Sequence, residues 1–201
     1  MAIFTLRNVF VAAMVGVGVW TSAATSTAQD IATEQRTMSV RRALERLPYY
    51  GVFDFLSFGV DRGTVTLTGY AHRGSLKSEA ESATRRVSGV DEVANNLEVL
   101  PASQSDDRIR WATFYRIYTD DFLARYAPGG PAGARIALIE SKRFPGTQPF
   151  GDYPIHIIVK GGRTTLLGVV DTAADKQVAG MKARAVPGVF AVENELDVAR
   201  K

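Results

Sequence analysis

Thr64 to Tyr70 alternates strictly: Val65 and Leu67 fall on one side, and Thr64, Thr66 and Thr68 on the other. Period-two alternation of this kind predicts a half-buried antiparallel strand. Before it, Val52 to Asp61 is aromatic and β-branched, with Phe53 and Phe55 in one phase and Leu56, Phe58 and Val60 in the next. The change of phase predicts a bend or bulge near Phe55 and Leu56. Asp61-Arg62-Gly63 joins the two strands as a hairpin turn. Helical spacing takes over on either side. Val40, Leu44 and Leu47 share one face of a helix over Thr37 to Leu47, which Pro48 stops. Ser75 caps a second helix running through Lys77 to Val87, with Leu76, Ala80, Ala83 and Val87 as its buried stripe and Gly89 beyond its end. Val93 to Val99 is a third strand, and residues 29–36 read as a loose polar leader.

The same pattern returns later in the chain. A gapless shift of 99 lays residues 63–99 on 162–198. Gly63, Leu67, Gly69, Lys77, Ala80, Arg85, Gly89, Asn95 and Leu97 then meet Gly162, Leu166, Gly168, Lys176, Ala179, Arg184, Gly188, Asn194 and Leu196. Self-similarity at a fixed offset is the mark of a repeated module. Strands at Ile155 to Val159, Thr164 to Val170 and Ala191 to Val198 enclose a helix at Ala173 to Ala185. The second copy is longer in front. Asp106 to Tyr126 reads as one aromatic-rich helix, and residues 127–153, rich in Pro and Gly, read as a surface insertion with a single helical turn at Ile136 to Ile139. The fold class expected is α+β: two αββαβ modules, over 36–100 and 105–199, each a small sheet with helices on one face.

Residues 1–28 read as a signal peptide. Arg7 precedes an apolar run from Val9 to Trp20, and Ser26 and Ala28 place small side chains before a cleavage point at Gln29. The run is shorter than the roughly 20 residues that cross a bilayer. The chain has no cysteine, which excludes disulfides, thiolate metal sites and a lipidated cleavage site. An exported, periplasmic, non-lipidated protein is expected. With 46% hydrophobic and 22% charged residues, the composition is that of a folded globular protein. A formal charge of +3, without a strongly biased region, gives no general grip on nucleic acid.

Catalytic chemistry finds no support. The two histidines, His72 and His156, occupy non-equivalent positions of the repeat, and neither has a companion at metal-ligand spacing. His72 is expected in an exposed loop and His156 on an outer sheet face. Asp120 and Asp121 are neighbours on a helix and diverge, and no Gly-x-Ser-x-Gly or phosphate loop occurs. No catalytic residue, metal or cofactor is expected. Binding chemistry is better supported. Arg73, Lys77, Arg85 and Arg86 lie on the helix of the first module, and Lys176, Lys182 and Arg184 on that of the second. Basic side chains near a membrane are each worth about 1 kcal/mol against anionic lipid. Trp111, Tyr115, Tyr118 and Phe122 exceed one narrow core stripe and are expected at the junction between modules, or, for Trp111 and Tyr115, at a lipid interface. The strand holding Leu166 and Val170 also turns Leu167 and Val169 to its other side, which fits a buried junction or a partner surface.

Taken together, Val65-x-Leu67-x-Gly69, Val87-x-Gly89-Val90 and Val93-x-Asn95-x-Leu97-x-Val99, recurring 99 residues on as Leu166-x-Gly168, Val186-Pro187-Gly188-Val189 and Val192-x-Asn194-x-Leu196-x-Val198, resemble the BON domain, the bacterial osmotically induced and nodulation module. The resemblance covers roughly residues 36–100 and 105–199. It implies a non-catalytic protein of the bacterial envelope that binds phospholipid. Without a lipidation Cys, that binding would be reversible and directed to anionic surfaces. The alternative is a protein–protein adaptor or stress-protective module acting on an envelope partner.

Overall fold

The computed structural model describes residues 4–5, 23–143 and 148–200. The first module consists of α1 (Ala23–Glu45), β2 (Phe55–Asp61), β3 (Thr64–Ala71), α2 (Gly74–Arg85) and β4 (Glu92–Val99), with a two-residue β1 (Phe4–Thr5) paired parallel to Ser57 and Phe58 at the β2 edge. The second consists of α3 (Gln104–Tyr118), α4 (Gly130–Arg143), β5 (Ile155–Lys160), β6 (Arg163–Val170), α5 (Ala173–Arg184) and β7 (Ala191–Val198). In each, an antiparallel hairpin is followed by a helical crossover to a parallel third strand. The structure is therefore α+β, with two related modules.

Two features of the repeat have direct physical causes. Gly69 and Gly168 have φ of 117° and 124°. A Cβ there would lie 2.1 Å from Phe55 O and 2.0 Å from Pro154 O, so only glycine lets the hairpin strands approach. Asn95 and Asn194 tie sheet to helix: each donates from Nδ2 to a carbonyl of the crossover helix, that of Lys77 at 2.9 Å and that of Lys176 at 2.7 Å.

Several local expectations are corrected. The first helix does not begin at Thr37 but runs back to Ala23, because nothing between those positions breaks it: there is no Gly or Pro. The expected cleavage point before Gln29 thus falls within α1, whereas the apolar run Val9 to Trp20 lies outside the described residues. No bulge interrupts β2, whose ladder runs unbroken from Phe55↔Tyr70 to Asp61↔Thr64. The phase change is the strand's beginning. Val52 to Asp54 belong to a turn in which the Asp54 carboxylate accepts from Gly51 N (3.0 Å) and His72 N (2.6 Å). Ser75 does not cap α2; that position is Arg73, whose side chain makes no capping bond. The aromatic helix α3 stops at Tyr118 rather than Tyr126, since the Asp120 carboxylate accepts from Phe122 N (3.0 Å) and turns the chain into a 3₁₀ turn at Ala124–Tyr126. The insertion holds a full helix, α4, in place of a single turn.

α3 packs on β5 and α5 as α1 packs on β2 and α2, so α4 is the added element, seated against α3. Ser103 caps α3, and the Asp106 carboxylate accepts from Gly161 N and Gly162 N at 2.9 Å each, pinning the helix to the β5–β6 turn. Each module has its own core, one around Val40, Leu44, Phe58 and Leu67, the other around Phe114, Ile117, Ile157 and Leu166.

The modules meet through the sheet faces turned away from these cores. Phe55, Leu100 and Ile158 form a buried cluster flanked by Tyr70 and Leu167. Ile157 N donates to Val52 O (2.8 Å), and Val52 N to Pro149 O (3.0 Å). His156, expected on an outer face, is on that face, but the face is covered. The imidazole is fully buried, 3.3 Å from the Tyr50 hydroxyl and edge-on to Tyr50 and Phe55. Burial pushes its pKa down to about 4. His72 is no free loop residue either. It is half-buried, edge-on to Phe53 at 5.8 Å, and burial, followed by the Arg110 charge, lowers it to about 4.

Candidate membrane-facing surface

The nine residues singled out from the sequence separate once their partners are known. Lys77 donates to Leu97 O (2.7 Å), Arg85 pairs with Glu81 (2.7 Å) and Lys182 with Asp120 (2.5 Å). Arg73 also interacts within the chain. Arg86, Lys176 and Arg184 keep no intramolecular partner among the described residues. The basic helices are therefore partly spent on internal bonds, which charge spacing alone does not reveal.

The aromatic residues divide as well. Tyr118 is fully buried in the second core, its hydroxyl donating to Ile155 O (2.5 Å). Phe122 and Tyr115 point outward, at 69% and 41% exposure, and so do not fill the junction. Trp111 reaches toward the first module, edge-on to Phe53 at 5.3 Å. Trp111 is half-buried and lines a cleft of about 320 Å³ with His72, Asp107, Arg108, Leu138, Ser141 and Lys142.

One wall of that cleft is α4, the element whose helical extent the sequence reading missed. α4 turns Ala134, Ala137 and Leu138 inward, toward α3. Outward it presents Ile136 and Ile139 at 60% and 61% exposure, beside Arg135, Lys142 and Arg143 and a single acid, Glu140. None of the three cations has a partner among the described residues. Large apolar side chains held in water beside unpaired cations form the pattern of an interfacial helix. The signal was present in the spacing of Ile136 and Ile139 with the basic end Lys142-Arg143, but the flanking Pro128-Gly129-Gly130-Pro131 conceals it. Pro131 in fact sits in the first turn, where a missing N–H breaks no helical bond.

A family model for the BON domain matches residues 32–101 and again 141–200. The chain belongs to the BON domain family. BON domains are non-catalytic binding modules associated with the envelope and with phospholipid, and the tandem arrangement here is two such modules. No curated protein matches the chain. Two solved structures of CdsD, a structural protein of the Type III secretion system of Chlamydia trachomatis, one of them its C-terminal domain, are 13% identical. They cover 82% and 81% of this chain and 92% and 96% of their own, with TM-scores of 0.27 and 0.25. That likeness supports no inference about this BON protein. Among the described residues no helix is long and apolar enough to cross a membrane, and no cluster of His or carboxylates is placed to hold a metal.

Proposed function

We propose that this BON protein is exported to the periplasm by cleavage of its first 28 residues and attaches reversibly to anionic phospholipid surfaces through α4 and the rim of the Trp111 cleft. The observation that carries this reading is the outward face of α4, with two exposed isoleucines among Arg135, Lys142 and Arg143. Seating the exposed part of each isoleucine in the interface contributes on the order of 1 kcal/mol. Each cation near an anionic surface adds about 1 kcal/mol, less what Glu140 opposes. A total of a few kcal/mol corresponds to attachment that is marginal for one molecule and readily reversed, as suits a chain with no cysteine to lipidate. Trp111 and Arg108 extend the same surface at the cleft. Arg86 is an outlying cation of the first module. Reading the protein as an adaptor for an envelope partner rested on the doubly apolar β6, and Leu167 is spent on the junction between modules.

Co-sedimentation with phosphatidylglycerol and phosphatidylcholine vesicles at 50 and 300 mM salt tests the proposal. Binding to the anionic vesicles alone, weakened by salt and by Ile136→Ser with Ile139→Ser, is expected. Equal failure to bind both vesicle types at both salts would falsify it. Mass spectrometry of the protein recovered from periplasm should find an amino terminus at Gln29, and an intact Met1 there would refute cleavage.

A further inference from the structure

In the first module Glu81 stands on α2 above β4. Its carboxylate accepts from Asn95 Nδ2 (3.0 Å) and from Arg85 Nη2 and Nε (2.7 and 3.0 Å). The Asn95 bond, and then the Arg85 bond, hold Glu81 below the usual carboxylate range. The shift of 99 places Lys176, Gly180, Arg184 and Asn194 where the first module has Lys77, Glu81, Arg85 and Asn95. Asn194 repeats both backbone bonds of its counterpart, to Lys176 O (2.7 Å) and from Leu196 N (3.4 Å). The carboxylate alone is missing.

The chain leaves an open cleft beside Gly180 where the first module has the Glu81 side chain. A cleft of about 460 Å³ is lined by Ala173, Lys176, Gln177, Met181, Arg184 and Asn194. Gly180 lets the Asn194 amide pack close against α5: a Cβ there would lie 2.7 Å from Asn194 Nδ2 and 3.7 Å from Arg184 Nη1. No acid lines the cleft. Strand alternation sends Glu193, Glu195 and Asp197 to the opposite face of β7 from Asn194, and Glu193 is held there by Arg163 at 2.8 Å. Unlike Lys77, which is bonded to Leu97 O, Lys176 has no partner among the described residues, and neither has Arg184. Met181, 57% exposed, gives the cleft an apolar rim.

We propose that this cleft is a receptor for the oxyanion of an external molecule, a phosphate ester or free phosphate, which takes the place that the Glu81 carboxylate holds in the first module. Asn194 Nδ2 and the Arg184 guanidinium donate to it as Asn95 and Arg85 donate to Glu81, and Lys176 adds a further positive charge. The first module is thus a self-filled version of the same site. The site stands apart from the α4 surface; only its lipid arm rests on the function proposed above.

The test is titration of the ¹⁵N-labelled full chain with inorganic phosphate, alongside binding to phosphatidylglycerol and phosphatidylcholine vesicles. Gly180→Glu reinstalls the carboxylate, with the Asn194 amide shifting away from the new Cβ to the separation its counterpart Asn95 keeps from Glu81. Glu81→Gly opens a second site, and Ala102→Glu places the same charge in the exposed linker between modules. Saturable shifts of the Gly180 amide and the Asn194 side-chain amide are expected. They should weaken at least tenfold in Gly180→Glu, persist in Ala102→Glu, and gain a second set at Asn95 in Glu81→Gly. If phosphate binds while Gly180→Glu leaves vesicle binding equal to that of Ala102→Glu, the receptor stands and its ligand is a soluble anion. If only vesicle binding falls in Gly180→Glu, the ligand is the headgroup phosphate. A failure of the α4 serine variants to alter vesicle binding refutes the α4 surface and leaves the receptor intact. The receptor is overturned if Gly180→Glu matches the wild type toward phosphate, or if phosphate shifts neither amide and both charge variants bind vesicles alike.

Discussion

Protonating His156 should pry the two modules apart. The ring is fully buried between the sheets, against Tyr50 and Phe55, and its pKa falls from 6.5 to about 4 because burial disfavours the charged form. The unfolded chain therefore takes up this proton first as pH drops. Stability carried by neutral His156 is complete above pH 6.5 and is lost progressively as pH falls toward 4. At about 1.4 kcal/mol per pH unit, the loss amounts to about 3 kcal/mol over that window, a sizeable part of a small domain's stability. Other groups titrate in the same range. His72, also lowered to about 4, adds to the loss. Asp54 acts oppositely: burial raises it from 3.8 to about 6, so the folded state gains on protonating it between those values. Comparing the wild type with His156→Gln, which keeps a polar partner for Tyr50, cancels both. Urea unfolding followed by far-UV circular dichroism at pH 7.5, 6.5, 5.5 and 4.5 gives the difference in unfolding free energy. The wild type's advantage should shrink by about 2–3 kcal/mol between pH 6.5 and 4.5 and stay constant above. A difference that is flat across the whole range would mean that water reaches the imidazole and that the sheets do not meet as described.

Three further outcomes follow from the packing. Gly69→Ala puts a Cβ 2.1 Å from Phe55 O at a φ of 117° and should cost more than about 2 kcal/mol, while Gly59→Ala, with nothing within 4 Å, should stay within about 1; thermal melts of the two decide it. Asn194→Ala removes the link from β7 to α5 and should lower stability by about 1–2 kcal/mol in urea, with hydrogen exchange quickened at Leu196, whose amide bonds Asn194 Oδ1. Asp106→Ala leaves Gly161 N and Gly162 N without their carboxylate acceptor, so both amides should exchange faster and stability should drop by about 1–3 kcal/mol; unchanged exchange there would show that the turn holds itself.

How much of this was legible in the chain depends on whether the signal is local. The repeat at an offset of 99, the hairpins and their glycines all follow from backbone rules that operate within a few residues, and the structure has them. The alternation of Ile155, Ile157 and Val159 correctly put His156 on the other face. Alternation names the face but not what covers it, and cover came from Tyr50 and Phe55, a hundred residues away in sequence. The cations failed for a related reason. Lys77 and Arg85 look alike in sequence to Lys176 and Arg184, yet among the described residues only the first pair is bonded internally, the arginine to Glu81, whose place Gly180 takes in the second module. Helix α4 was hidden because Gly and Pro around residues 128–133 read as breakers, although Pro131 occupies the one turn of a helix that tolerates it.

The proposed attachment sets the outward face of α4 against the membrane, and amide hydrogen exchange with and without vesicles tests that face. With phosphatidylglycerol vesicles, protection should appear over Gly130–Arg143 and around Trp111, and should fade at high salt. Protection that is absent from α4, or that is equal with phosphatidylcholine vesicles, would contradict it.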